Sequence, residues 1–383
     1  MSQKRAIFEE VGTDEKTKVA APSPGLIDKD TGGARRAIRI WLMVLFAMVA
    51  AMILVGGLTR LTDSGLSITE WNLVTGAVPP LNEADWQAEF DKYRQTPQYE
   101  LMNRGMTLAE FQFIYWWEWG HRQLGRFVGL VWALGFLFFL ATKRIPTGWT
   151  PRLLGLGALG GLQGAIGWWM VSSGLTGRMV SVASYRLAVH LGLAFVILGL
   201  ITWFILKLGR SEAALMQARR GRNPKLFSMG TGLMHFAFLQ ILFGALVAGL
   251  DAGRGYIDWP RMAGQWIPDD MFNYTPLWTN FFENPSLVQF IHRMLAYGLF
   301  IFGIVVWRRA RGSGNEATKR AFDWMAVMLF GQVVLGIVTL MHAAPWNIAI
   351  LHQLGGIVLW VLIIRARFLA QYPITQTIRS TKA

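Results

Sequence analysis

The chain has 383 residues, of which 53% are hydrophobic, 13% are aromatic and only 16% are charged. Because about a quarter of the residues in an ordinary soluble protein are charged, this composition excludes a disordered chain and indicates an integral membrane protein. The excess of 37 Lys and Arg over 23 Asp and Glu is explained by membrane topology, and no nucleic-acid partner is predicted. The absence of Cys excludes disulfides, thiolate metal sites and covalently attached c-type haem.

Eight apolar segments are long enough to cross a bilayer, which takes about 20 helical residues. We predict an all-α integral membrane protein with spans near residues 38–59, 112–141, 153–172, 185–206, 227–249, 286–307, 321–341 and 346–366. The polar residues 1–37 are predicted to be a mobile cytoplasmic tail and not a cleaved signal peptide.

Lys and Arg are divided unevenly between the two sides of the membrane. The termini and loops on one side carry 26 of them, and the loops on the other side carry 8. By the positive-inside rule, both termini are predicted to be cytoplasmic. Arg122, Arg126 and Arg293 lie in or at the ends of predicted spans, where a charge needs a partner.

The two long outer loops, 60–111 and 250–285, are rich in Trp, Pro and acidic residues. In the first of them, Asn82 is predicted to cap a short amphipathic helix that ends before Pro97. We expect this helix to lie on the outer membrane surface or to cap the bundle.

The chain contains an internal repeat. A shift of 188 residues aligns Gly56 with Gly244, Leu58 with Leu246, Asp63 with Asp251, Gly65 with Gly253, Glu70 with Asp258 and Trp71 with Trp259. In addition, Gln163 and Gly167 of the third span recur as Gln332 and Gly336 of the seventh. Both halves begin on the inside, so the duplication is parallel and its pseudo-twofold axis runs along the membrane normal.

The repeat predicts two pseudo-twofold-related four-helix bundles, 38–206 and 227–366. A cytoplasmic loop, 207–226, would join them, and a cytoplasmic tail, 367–383, would follow. Two similar sites are therefore expected, and differences between the halves indicate which of them performs chemistry.

Four of the six histidines fall in the first turns of the even-numbered spans, at a similar depth near the outer face. They are His121, His190, His292 and His352, and the repeat matches the first with the third and the second with the fourth. Two imidazoles facing each other across a four-helix bundle are typical of a bound haem, whereas zinc or copper would usually need further ligands. A hydrogen-bonded structural role is the alternative for each of them.

Small residues lie four positions after each of these histidines, on the same helical face. They are Gly125, Ala194, Ala296 and Gly356, and they would let either a flat macrocycle or a neighbouring helix approach closely. His235 and His342 do not fit the pattern and are predicted to be structural.

The acid Glu118, three residues before His121, distinguishes the halves because its counterpart is Gln289. A carboxylate beside a cofactor can accept a proton, so the N-terminal half is the predicted reaction site. The alternative role for Glu118 is a salt bridge to Arg122 or Arg126. Arg122, Arg126 and Arg293 are candidate partners for haem propionates. The aromatic run 115–119 is predicted to be an interfacial belt.

Several motifs together strongly resemble the haem A synthase family, especially its mitochondrial and alphaproteobacterial form. They are the segment 56–67, Glu70-Trp71, Pro79-Pro80, the segment 113–122 with its Glu118-x-x-His121-Arg122 core, and the three later span-end histidines. The resemblance covers about residues 38–370.

The resemblance implies oxidation of the C8 methyl group of haem O to the formyl group of haem A by successive hydroxylations, for delivery to a terminal oxidase. It implies that His121 and His190 flank the substrate haem, that His292 and His352 hold haem B, and that Glu118 is the acidic residue of the active site. The Cys pair of some bacterial members is absent here.

The resemblance also implies a setting and partners for the protein. The setting is the bacterial inner membrane, or the mitochondrial inner membrane in a eukaryote. The partners are membrane lipid, haem O synthase as the substrate donor, an external electron-transfer protein and the terminal oxidase assembly machinery, and self-association stays open. A di-haem b-type electron carrier is the alternative function, and a transporter is a third hypothesis that the outer position of the ionisable residues disfavours.

Overall fold

The structure, a computed structural model, describes residues 32–177 and 179–376. The predicted N-terminal tail up to residue 31 and the last residues of the C-terminal tail lie outside this part of the chain. Eight described helices are long and apolar enough to span a membrane, as predicted. They are α1 (Gly32–Leu61), α2 (Leu108–Ala141), α3 (Thr150–Ser172), α4 (Ser184–Leu208), α5 (Pro224–Gly249), α6 (Pro285–Arg311), α7 (Glu316–Met341) and α8 (Trp346–Gln371).

The helices extend beyond the apolar segments from which they were predicted. Helix α1 begins at Gly32, inside the predicted tail, and α8 continues to Gln371. Hydropathy detects only the part of a helix that suits lipid, whereas the backbone hydrogen bonds of the helix continue into the polar region. The helices at both ends therefore continue several residues into the predicted tails, whose bounds at residues 37 and 367 stay a prediction.

The connection between the halves, predicted as a cytoplasmic loop, contains a helix, Glu212–Arg220. Its N-cap is Ser211, whose hydroxyl accepts a hydrogen bond from the Ala214 amide. Arg35 of α1 fixes this connection by donating to the carbonyl oxygens of Lys207 at 3.1 Å and Arg210 at 2.6 Å. The segment is thus folded against the N-terminal end of α1.

The spanning helices contact one another in two closed sets. In the first set α1 contacts α2 and α4, and α3 contacts α2 and α4; in the second, α5 contacts α6 and α8, and α7 contacts α6 and α8. Between the sets, α4 contacts α5 and α8, and α1 contacts α8. These contacts agree with two four-helix bundles, and the pseudo-twofold axis stays a prediction.

The bundles share a hydrophobic core, and polar contacts between them differ from one half to the other. Trp360 of α8 is buried and donates its indole N–H to the Phe195 carbonyl of α4 at 3.0 Å. The end of the bundles that carries the four span-end histidines is called the outer end, after the predicted topology. At this end, Arg60 of α1 forms ion pairs with Asp63 at 2.7 Å and with Asp251 of the other half at 2.5 Å. The position aligned with Arg60 is Ala248, so only one half supplies this link.

A small folded layer covers the outer end of α2. The predicted helix is present as Glu83–Arg94, and the Asn82 side chain caps it by accepting from the Asp85 amide at 2.9 Å. Its buried Phe90 packs on Phe111 of α2. A second short helix, Pro97–Met102, was not predicted. The outer loop of the C-terminal half contains only one short α-helix among its described residues, Asn280–Glu283.

Candidate functional site

Each of the four span-end histidines lies against a glycine on the preceding helix. A Cβ atom added to that glycine would lie 3.2 Å or less from the imidazole Cε1, which is closer than real Cβ atoms ordinarily come. The pairs are Gly56 with His121 (2.8 Å), Gly167 with His190 (2.9 Å), Gly244 with His292 (3.2 Å) and Gly336 with His352 (3.0 Å). The repeated glycines are therefore cradles for the imidazole rings.

The imidazoles are grouped two to a half. His121 and His190 lie on α2 and α4 of the first set of helices, and His292 and His352 lie on α6 and α8 of the second. Each half thus offers two nitrogen donors from opposite helices, the donor set that holds haem iron on both faces. The rings are half-buried, and Nδ1 of His121 is buried without a hydrogen-bond partner among the residues that the structure describes. Two imidazoles in each half, each held against a glycine of the preceding helix, fit a bound haem.

Three of the histidines contact a glutamine on the same neighbouring helix. The amide nitrogens of Gln163, Gln240 and Gln332 lie 3.2, 3.1 and 3.2 Å from Nδ1 of His190, His292 and His352, respectively. The first and third glutamines belong to the repeat predicted from the sequence, whereas Gln240 was not predicted. The signal was present, because Gln240 precedes Gly244 by four residues, as Gln163 precedes Gly167.

Glu118 is buried at 3% exposure and accepts hydrogen bonds on both carboxylate oxygens. One oxygen accepts from the Ser67 hydroxyl at 2.7 Å and the Ile68 amide at 2.8 Å. The other accepts from Arg122, at 3.1 Å from Nε and 2.7 Å from Nη2. The salt bridge to Arg122, one of the predicted alternatives, is therefore present. The hydrogen bonds from Ser67 and Ile68 connect Glu118 of α2 to the outer loop that follows α1.

Gln289 occupies the corresponding position in the other half, in an environment of opposite polarity. Its amide nitrogen donates to the carbonyl oxygens of Ala252 at 2.6 Å and Tyr256 at 3.2 Å. Its oxygen accepts from Arg293 at 2.8 Å. The loop in the N-terminal half presents donors to residue 118, and the loop in the C-terminal half presents mainly acceptors to residue 289. A carboxylate suits the first site and an amide suits the second.

The three intramembrane arginines all anchor outer loops. Beyond Glu118, Arg122 donates to the carbonyl oxygens of Ile68 and Glu70, each at 2.8 Å. Arg126 donates to Leu73 and Asn72, each at 2.9 Å. Backbone carbonyls were not predicted as partners, because a sequence does not indicate where they point.

An outer cleft of about 350 Å³ adjoins these anchors in the N-terminal half. Arg122 and Arg126 line it together with Glu70 and Asn72. The hydrogen bond from Lys92 holds the pKa of Glu70 below its usual range. Contact of the two arginines with haem propionates stays a prediction, which their place in this cleft allows.

Arg293 performs the anchoring in the C-terminal half. It donates to the carbonyl oxygens of Asp258 at 3.0 Å, Arg261 at 2.8 Å and Tyr256 at 2.9 Å. The backbone amide of Gly264 bonds the Asp258 carboxylate and holds its pKa below the usual range. The loop is therefore closed around the arginine, whose predicted propionate contact stays untested.

His235 and His342 contact backbone carbonyl oxygens of their own helices, and their structural role stays a prediction. Nδ1 of each lies at hydrogen-bond distance from the carbonyl oxygen four residues earlier, Thr231 at 2.9 Å and Val338 at 2.8 Å. In the aromatic run, Tyr115 is buried under the outer layer while Trp116 is 45% exposed. Part of the predicted interfacial belt is therefore packing surface for the outer helix.

Comparison with known proteins agrees with this arrangement. The family model COX15-CtaA, described as cytochrome oxidase assembly protein, matches residues 39–364. The haem A synthase of Ruegeria pomeroyi is 65% identical over 99% of this chain and 100% of its own length. That of Paracoccus denitrificans is 63% identical over 99% of both chains, and that of Dinoroseobacter shibae is 62% identical over 100% of both. This chain belongs to the COX15-CtaA family of cytochrome oxidase assembly proteins.

Proposed function

We propose that this protein is a haem A synthase, an oxidoreductase that converts the C8 methyl group of haem O into the formyl group of haem A by successive hydroxylations. The full-length identity to haem A synthases supports the activity. The observation in the molecule that carries the proposal is the glycine-cradled histidine pair in each half. Haem O has a long isoprenoid tail, so an enzyme within the bilayer suits it.

We assign the substrate haem to the N-terminal half, between His121 and His190. His292 and His352 would hold haem B as the resident cofactor in the C-terminal half. The asymmetry between Glu118 and Gln289 supports this assignment, because a buried carboxylate occurs beside only one of the two pairs. The bound haem iron would supply the redox chemistry of the reaction.

The residues around Glu118 would position the reaction site. Glu118 holds Arg122 and the loop at Ser67 in one arrangement through four hydrogen bonds. The Ser67 hydroxyl, which donates to the carboxylate at 2.7 Å, would help to keep Glu118 oriented as a proton acceptor beside the substrate haem. Arg122 and Arg126 in the outer cleft would receive carboxylates of the substrate.

We place the protein in the bacterial inner membrane with both termini in the cytoplasm, an orientation supported by the distribution of Lys and Arg. Haem O synthase would supply the substrate, and the terminal oxidase assembly machinery would receive the product. Electrons would come from an external partner.

The test is expression in bacterial cells that lack their own haem A synthase but contain haem O synthase. Extracted haems are identified by chromatography and mass spectrometry. We expect haem A with the wild-type chain and none with His121→Ala. His235→Ala is the matched control and should retain production, because His235 is exposed and lies outside both pairs. Accumulation of haem O with the wild-type chain would contradict the proposal.

A further inference from the structure

The four histidine sites differ in the residue one turn before the cradling glycine, which lies on the same face of the neighbouring helix. At three sites this residue is a glutamine: Gln163, Gln240 and Gln332. Beside His121 it is Met52, four residues before Gly56. The duplication has thus produced three equivalent sites and one exception, and the exception lies in the N-terminal half.

The three glutamine amides all lie against the rings of their histidines, and those of Gln163 and Gln240 lie near Nε2 as well as Nδ1, at 3.4 and 3.2 Å from Nε2. Each amide nitrogen lies at hydrogen-bond distance from the backbone oxygen of its histidine, at 3.0 Å for His190, 3.1 Å for His292 and 2.7 Å for His352. The amide oxygen of each glutamine is buried and has no hydrogen-bond partner in the part of the chain that the structure describes. A buried amide oxygen without a partner is unfavourable, so all three sites hold an acceptor ready for a donor.

Metal binding creates that donor. An imidazole that binds a metal through Nε2 carries its proton on Nδ1 and donates it to a neighbouring acceptor, which fixes the ring and makes it a stronger ligand. The histidine carbonyl, within a helix, already accepts a bond from the amide four residues later. The glutamine amide is therefore free to turn its oxygen toward Nδ1.

The His121 site has no such acceptor. Nδ1 of His121 is buried and has no hydrogen-bond partner among the described residues. The Met52 methyl group reaches to 3.1 Å from where a Cβ atom on Gly125 would lie, and a thioether is only a weak acceptor. A ring without this hydrogen bond is less firmly oriented and less basic.

We propose that the three glutamines are positioning residues for their histidines and that Met52 leaves His121 as the weaker iron ligand. The C-terminal half then holds its haem between two supported histidines, as a permanent cofactor requires. The N-terminal half holds its haem between one supported ligand and one unsupported ligand, as a haem that must enter and leave requires. This inference rests on the proposed function, since it assumes a haem in each half.

The test exchanges the residues between the halves and measures haem loss. Purified protein in detergent, loaded with both haems, is mixed with excess apomyoglobin, and the haem type that remains is followed by chromatography. Loss of a partner that orients a metal-bound histidine typically weakens binding by about 10- to 100-fold. We therefore expect Gln240→Met to release haem B about 10-fold faster or more, and Met52→Gln to slow the loss of haem O or haem A by about 10-fold.

Two control variants separate positioning from packing. Met52→Leu changes the side chain without adding an acceptor and should lose haem as the wild type does. Gln240→Glu keeps an acceptor at the same chain length and should retain haem B better than Gln240→Met.

The outcomes distinguish this inference from the function on which it rests. If Met52→Gln and Met52→Leu lose haem at the same rate, or if Gln240→Met keeps haem B as the wild type does, the inference is overturned while the function stands. If the wild-type chain binds only haem B at both sites, the proposed function fails and the inference fails with it.

Discussion

Replacing Glu118 with Gln tests whether the two halves are built around opposite hydrogen-bond polarities. The carboxylate of Glu118 faces donors only, from Ser67, Ile68 and Arg122, whereas an amide would turn its NH₂ group toward some of them. Breaking a buried ion pair costs about 3–5 kcal/mol. Arg122 is 17% exposed and keeps two backbone carbonyls, so we expect about 3 kcal/mol, near the lower limit.

Hydrogen–deuterium exchange of the outer loop measures this cost directly. The Ile68 amide donates to Glu118, and about 3 kcal/mol corresponds to roughly hundredfold faster exchange. Ser67→Ala, which spares the Glu118–Arg122 pair, should have a much smaller effect. Gln289→Glu is the reciprocal variant and should loosen the loop at Tyr256, because it places a carboxylate against backbone carbonyls. Unchanged exchange at Ile68 in Glu118→Gln would refute the reasoning.

Three further predictions concern the cradle, the link between the halves and the outer layer. Gly167→Ala should lower the haem bound per chain in a pyridine haemochrome assay, because the new Cβ atom would lie 2.9 Å from Cε1 of His190. Gly160→Ala is the control and should bind haem as the wild type does, because, apart from its chain neighbours and its own helix backbone, no atom of the described residues lies within 4 Å of the new Cβ atom. Equal haem contents in the two variants would contradict the role of Gly167 as a cradle. Arg60→Ala should lower the Tm, because it removes ion pairs to both halves from a side chain that is only 11% exposed. We expect a loss of about 1–3 kcal/mol in the free energy of unfolding. An unchanged Tm would show that Arg60 does not stabilise the contact between the halves. Burial raises the pKa of Tyr93 from 10.0 to about 12, so its contribution to stability is present below pH 10 and is lost as the pH rises through about 12. Tryptophan fluorescence should report loosening of the outer layer over that range, and the same pH curve in Tyr93→Phe would assign the change to another group.

The sequence predicted the spanning helices and the histidine pattern because both depend on local composition and on the repeat. The additional turns of α1 and α8 were missed because charged residues such as Arg35 end an apolar segment without ending a helix. The helix Glu212–Arg220 between the halves was missed for a related reason, since its polar residues resemble a loop.

The polar contacts of the site were less predictable. Arg293 bonds to backbone carbonyls of a loop whose path depends on the whole outer segment. The role of Gln240 was available from the Gln-x-x-x-Gly spacing, but comparison of the two halves aligned it with Met52 and hid the pattern. Comparing the four helix pairs with one another, and not only the two halves, would have revealed it.

The central claim is that the N-terminal half holds a haem that the protein modifies and the C-terminal half holds haem B. An oxidised-minus-reduced optical spectrum of the purified protein, with its haems extracted and identified by chromatography and mass spectrometry, tests this claim most directly. We expect haem B together with haem O, haem A or a hydroxylated intermediate. Haem B alone, at two per chain, would contradict the account and would identify the protein as a di-haem electron carrier.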